Sequence, residues 1–148
     1  MTDIAIDPKI LLMMKHQHVM KYFPDWTFRW ENDEQAYFAG WINSNSGRRY
    51  QLRLELNPQV PEIHPELFVW HPKILPSVPS GTINESPGHT THTLSSNHDG
   101  RVQICYASSS DWDASVSLTL PLLRGVLWIE GYESHLRTGR PICEFFQE

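Results

Sequence analysis

The chain has 148 residues, and its 17 acidic residues against 12 basic ones give a formal net charge of −5. That length suits one domain spanning residues 1–148 with a core of its own, and the charge argues against a general nucleic-acid binder, which needs a basic surface to meet phosphates. The apolar run at residues 10–14 is too short for a membrane span and has no basic leader, so a cytoplasmic protein without a membrane partner is expected.

Asp7 and Pro8 read as the N-cap and first residue of a helix over residues 9–23, with Leu11, Met14, His18 and Tyr22 at helical spacing until Pro24 stops it. From Trp26 the period changes to two. Trp26, Phe28 and Trp30 alternate with polar neighbours in a first strand, and residues 36–42 form a second. The turn formers at residues 43–47 lead to Tyr50, Leu52, Leu54 and Leu56, the clearest alternation in the chain. Residues 67–70 make a fourth strand, approached through Pro58, Pro61 and Pro65, whose missing amide donors keep the backbone extended.

Residues 72–91, rich in Pro, Ser, Gly and Thr, have no sustained period and are expected to form a surface connection rather than a core element. A small hairpin follows, with residues 92–94 and 101–106 flanking a turn at residues 97–100, and it carries Cys105 to its end. The last element is a helix over residues 121–138. Its apolar stripe is Leu122, Val126, Ile129, Tyr132 and Leu136, with Gly139 and Pro141 as stop signals.

Cys105 is the candidate for covalent chemistry, because a thiolate is the best nucleophile among the common side chains near neutral pH. A cysteine in a short apolar strand is also ordinary core material. The second cysteine, Cys143, lies in the apolar ending and reads as packing. Two cysteines without Cys-x-x-Cys spacing suggest reduced thiols and no zinc site. A metal site built from His89, His92 and His98 would lie in loop sequence without a matching ligand pair, so no metal and no cofactor are expected.

The order helix, four strands, proline-rich loop, cysteine segment, tryptophan and long helix resembles the ubiquitin-conjugating enzyme family over most of the chain. NPQVPEIHPELFVWHPKI at residues 57–74 looks like that family's proline-punctuated approach to its fourth strand, and GRVQICY at residues 100–106 looks like its active-site segment. Trp112 falls where the family keeps a tryptophan. LRGVLWIEGYESHLRTGRP at residues 123–141 is similar to the ending of the prokaryotic branch found in bacterial conjugation and CBASS anti-phage operons, with Trp128, Tyr132, Glu133, Thr138 and Gly139 at the matching positions. The family's His-Pro-Asn tripeptide is replaced by Ser95-Ser96-Asn97, and only the asparagine remains.

The resemblance implies an α+β fold of the ubiquitin-conjugating type, with an N-terminal helix, a four-stranded antiparallel meander, an active-site loop and a long C-terminal helix. It also implies an acyl relay. Cys105 would form a thioester with the C-terminus of a partner, either a ubiquitin-like protein or a cyclic-oligonucleotide synthase (CD-NTase), with or without an activating enzyme, and pass it to an amine. Asn97 would steady the loop or donate to the oxyanion, or it simply tolerates a tight turn. Asp111 and Asp113 are candidates to help an incoming amine lose its proton, although Asp113 before Ala114 and Ser115 equally reads as a turn cap. The rival readings are a cysteine acyl hydrolase using His92 or His98 as base, and a catalytically silent binding relative.

Overall fold

The computed structural model describes residues 7–58, 63–96, 98–107, 112–113 and 115–146. Helix α1, Pro8–Tyr22, begins as the sequence suggests, with the Asp7 carboxylate accepting from the Lys9 amide at 2.8 Å. It buries a different face from the expected one. Leu12 and Val19 point inward and His16 stacks on Phe28 at 4.9 Å, while Met14 and Tyr22 are more than half exposed. Apolar residues lie all round this helix, so local spacing cannot choose the face, and the surface it meets makes the choice.

Strands β1 (Thr27–Trp30), β2 (Ala36–Asn43), β3 (Arg49–Leu56) and β4 (Glu66–His71) form the antiparallel meander. In β3 every second residue is buried, namely Tyr50, Leu52, Leu54 and Leu56. Gly40 of β2 meets the Trp26 ring so closely that an added Cβ would fall 2.1 Å from it.

The sheet has six strands rather than the expected four. Its order is β1-β2-β3-β4-β6-β5, where β5 is Thr93–Leu94 and β6 is Gln103–Ile104. The hairpin expected to carry Cys105 thus adds to the sheet itself: β6 pairs antiparallel with β4 through Leu67↔Ile104 and Phe68↔Gln103, and Val69 donates to the Val102 carbonyl at 2.9 Å. Without it, β4 would present a row of unpaired amides and carbonyls.

The connection between β4 and β5 also contributes to the core, contrary to its composition. A short 3-10 helix, Ile83–Glu85, lies within it, and Leu75 and Ile83 are buried. Asn84 holds this segment in place, accepting from the Leu75 amide and donating to the carbonyls of Lys73 and Gly100, the last at 2.8 Å.

Helix α2, Thr119–Thr138, lies on the sheet and ends at Gly139, whose positive φ of 75° forms the left-handed cap. Leu122, Ile129 and Tyr132 are buried as expected, but Trp128, off the expected stripe, is buried too, whereas Val126 is only half-buried. Gly125 lets the helix approach β3 and β4, since a Cβ there would meet Leu67 at 2.8 Å and Leu52 at 3.0 Å. Tyr50 and Ser46 donate to the buried Glu133 carboxylate at 2.8 and 2.7 Å, tying the β2–β3 turn to α2. A final 3-10 turn, Ile142–Phe146, packs back on α2, with the Phe146 ring against Gly131.

Candidate functional site

Cys105 follows directly on β6. Val102, Gln103, Ile104 and Tyr106 around it are buried, and Cys105 is the half-buried residue in their midst. Its amide donates to the His92 carbonyl at 2.9 Å, which extends the β5–β6 register beyond Thr93↔Ile104. His92 carries a positive φ of 52°, so the chain turns away from the strand at that point.

The turn before β5 is held by three successive carbonyls. Thr90 accepts from the Cys143 amide at 3.0 Å, Thr91 from Trp128 Nε1 at 3.0 Å and His92 from Cys105. Gly88 and Thr93 exchange both backbone hydrogen bonds across its base. The backbone of Cys105 is therefore fixed by a turn that α2 and the C-terminal segment both hold.

On the other side of Cys105, the Tyr106 hydroxyl donates to the Pro65 carbonyl at 2.6 Å, and Arg124 Nη1 donates to the Tyr106 carbonyl at 2.7 Å. Burial, followed by the nearby Cys105 and Glu66, pushes the Tyr106 phenol well above its usual range, so it stays a neutral donor. His64 lies flat on the Tyr106 ring at 4.6 Å, and Trp112 meets His64 edge-on at 5.7 Å. His64 Nε2 is buried without a hydrogen-bond partner among the described residues, and burial holds this imidazole below its ordinary pKa. Trp112 is 8% exposed and packs in the core.

Neither histidine proposed as a base reaches the thiol by hydrogen bonding. The His92 ring packs on His89 at 5.3 Å and on Phe146 at 5.2 Å, and burial followed by the neighbouring His89 lowers its pKa. His98 sets its edge against Phe68 at 4.7 Å instead of standing solvated in the turn. His89 and His92 come together, but among the described residues no group of three or more His, Cys, Asp or Glu could hold a metal ion. Nor is any described helix long and apolar enough to cross a membrane.

Asp113 is exposed and caps its own turn, accepting from the Ser115 amide at 2.8 Å and from the Ser115 hydroxyl. The side-chain and backbone hydrogen bonds from Ser115, then Lys15, hold its carboxyl below the usual range. Asn97 and Asp111 lie outside the described residues. Asn84 and His64 were not singled out in the sequence. Asn84 falls in a stretch without periodicity, and His64 sits among prolines that indicate only an extended backbone. The Asn84 link to Gly100 still supports, from outside, the turn that precedes β6.

The arrangement presents a half-buried cysteine on a backbone fixed by hydrogen bonds, without an internal imidazole bonded to it among the described residues. Such a thiol suits attack on a carbonyl that arrives already activated better than attack on an unactivated amide, which needs a general base at the nucleophile. The fold is that of an α+β protein with a six-stranded antiparallel sheet. No family model, curated protein or solved structure matches the chain.

Proposed function

We propose that the chain is a ubiquitin-conjugating-like acyl carrier, with the corresponding fold, acting in the bacterial cytoplasm in anti-phage defence. Cys105 Sγ adds to the activated C-terminal carbonyl of a ubiquitin-like protein or of a cyclic-oligonucleotide synthase. The tetrahedral oxyanion then collapses, expels the activating group and leaves a thioester. An amine attacks that thioester, loses its proton and takes the acyl group, returning the thiolate.

The observation that supports this reading is the half-burial of Cys105 within an otherwise buried segment, on a backbone held by His92. In this reading Asn97 is the amide donor to the oxyanion, and Asp111 and Asp113, which follow Cys105 closely in sequence, are the carboxylates for the amine's proton.

The test is incubation with each candidate donor, with and without an activating enzyme and ATP, followed by electrophoresis with and without thiol. A thiol-sensitive adduct is expected in the wild type. Cys105→Ser should give a thiol-resistant oxyester and Cys105→Ala none. An adduct that persists in Cys105→Ala rejects the assignment, and binding of a donor without any adduct under all these conditions favours a silent binding module.

A further inference from the structure

Leu67 pairs with Ile104 and Phe68 with Gln103, and Val69 donates to the Val102 carbonyl at 2.9 Å. Continued by one residue toward the start of β4, the same register sets Glu66 opposite Cys105. Leu67 and Ile104 point into the core, where Leu67 meets α2 at Gly125. Their neighbours Glu66 and Cys105 therefore lie together on the opposite face of the sheet, because successive side chains alternate.

The backbone bonds also fix the kind of pair. β6 bonds to β4 at alternate residues, beginning from Val102, and the Cys105 amide turns the other way, to the His92 carbonyl beside β5. Positions 66 and 105 are thus a non-hydrogen-bonded pair, the kind in which facing side chains come closest, with Cα atoms about 4.5 Å apart. The two chains stay together past this point, since the Tyr106 hydroxyl donates to the Pro65 carbonyl at 2.6 Å. The Tyr106 phenol is held above its usual range first by burial and then by Cys105 and Glu66, so both groups lie within electrostatic reach of one ring.

Glu66 is half-buried and makes no hydrogen bond or ion pair among the described residues. Its neighbour across the sheet, Glu55, is bonded to Arg53, and Asp113 is occupied by Ser115. Glu66 is the carboxylate whose lone pairs remain free to accept beside the sulfur.

We infer that Glu66 is a catalytic carboxylate of the acyl relay proposed above, on which this inference rests, and that it receives the proton of the primary amine attacking the Cys105 thioester. The amine nitrogen adds to the thioester carbonyl, and Glu66 takes an N–H proton as the C–N bond forms. The carbonyl then re-forms and the C–S bond breaks with its electron pair going to Sγ. The proton passes from Glu66 to that sulfur, leaving an amide, a thiol and the original carboxylate. The same negative charge draws an ammonium-bearing acceptor, such as a lysine side chain, toward the sulfur and repels anions.

The first measurement reads proximity and needs no partner. The full chain is alkylated with anionic iodoacetate or neutral iodoacetamide, and the rate at Cys105 is followed by mass spectrometry. Glu66→Gln should raise the iodoacetate rate relative to the iodoacetamide rate by about 3-fold or more, with the melting temperature retained. The second measurement reads the chemistry. Cys105 is loaded by exchange with a short peptide thioester, in a Cys143→Ala background, and the adduct is treated with Nα-acetyl-lysine amide or with 2-mercaptoethanol. Glu66→Gln should slow aminolysis about 10-fold or more and leave thiolysis no slower, because a thiolate brings no proton to remove, and Glu66→Asp should recover part of the aminolysis.

The inference is overturned if Glu66→Gln, folded by its spectrum, leaves the ratio of alkylation rates unchanged, if its aminolysis is as fast as the wild type's, or if thiolysis slows as much as aminolysis. It is overturned too if Cys105 in the folded chain reacts with none of these reagents. Absence of an adduct with every candidate protein donor would instead reject the relay, while a shifted alkylation ratio and slowed aminolysis would still uphold the place of Glu66.

Discussion

Trp128 Nε1 donates to the Thr91 carbonyl at 3.0 Å, one residue before the His92 carbonyl that accepts from the Cys105 amide. The C-terminal helix thus holds, through one indole, the turn on which the candidate nucleophile is seated. Both partners are buried, so the bond is shielded from water and its loss leaves a carbonyl unsatisfied.

Trp128→Phe keeps most of the ring and removes only the donor. It should lower stability by about 1–3 kcal/mol, the typical cost of an orphaned buried polar group. It should also change the rate at which Cys105 reacts with a thiol reagent, because the turn loosens under the strand. Urea unfolding and timed alkylation measure the two, and an unchanged alkylation rate in a destabilised variant would separate the tryptophan from the cysteine.

Asn84 joins three backbone groups, those of Leu75, Lys73 and Gly100. Asn84→Asp retains the acceptor for the Leu75 amide but exchanges the donating amide for a carboxylate that faces two carbonyls. The expected result is a loss of about 1–3 kcal/mol in urea unfolding and faster amide exchange over residues 98–101. Wild-type exchange in that turn would show that the link to Gly100 does not hold it.

The pH dependence of stability should have two components of the same sign. Burial opposes ionisation of Glu133, but the hydrogen bonds from Ser44, Ser46 and Tyr50 and the nearby Arg48 outweigh it and hold the carboxyl below its ordinary 4.5. The folded state therefore binds fewer protons than the unfolded state, and this contribution is full above about pH 4.5 and lost as the pH falls through the folded value. Burial likewise lowers His64 below its ordinary 6.5, so stability also falls as the pH drops below about 6.5, where the unfolded imidazole protonates first. Urea midpoints from pH 3 to pH 8 should show Glu133→Gln flattening the acidic end and His64→Phe flattening the stretch just below pH 6.5. The phenyl ring of His64→Phe keeps the stack on Tyr106.

Two glycine substitutions separate packing from backbone strain. Gly40→Ala would drive a methyl group into the fixed Trp26 ring, whereas at Gly47 nothing lies within 4 Å of a new Cβ and only the φ of +87° resists it. Gly47→Ala should cost about 1–2 kcal/mol from the left-handed backbone alone. Gly40→Ala should cost more and shift the Trp26 fluorescence, because overpacking moves a buried ring. Equal melting temperatures for the two variants would contradict the close approach at Gly40.

The elements that the sequence made legible are those whose signal is local. Asp7 and Pro8 mark the start of α1 because capping needs only neighbouring residues, and the alternation from Tyr50 to Leu56 marks β3 because its two faces see different solvents. The buried face of α1 carried no such signal, and for the hairpin before Cys105 the turn residues were legible but its place in the sheet was not. Thr93–Leu94 and Gln103–Ile104 are two residues each, too short to show a period, and they are strands because β4 offers an edge for β6 to pair with.

From its own residues the chain determined the order of its helices and longer strands, the net charge and the presence of one cysteine in an apolar segment beside a turn. Only the tertiary structure decided that this segment joins the sheet, that Trp128 and Asn84 hold the turns around it, and that the register sets Glu66 opposite Cys105. The physical reason is that local pattern registers how a residue meets water and its near neighbours in the chain. Hydrogen bonds and close approaches between residues tens of positions apart exist only once the faces have packed.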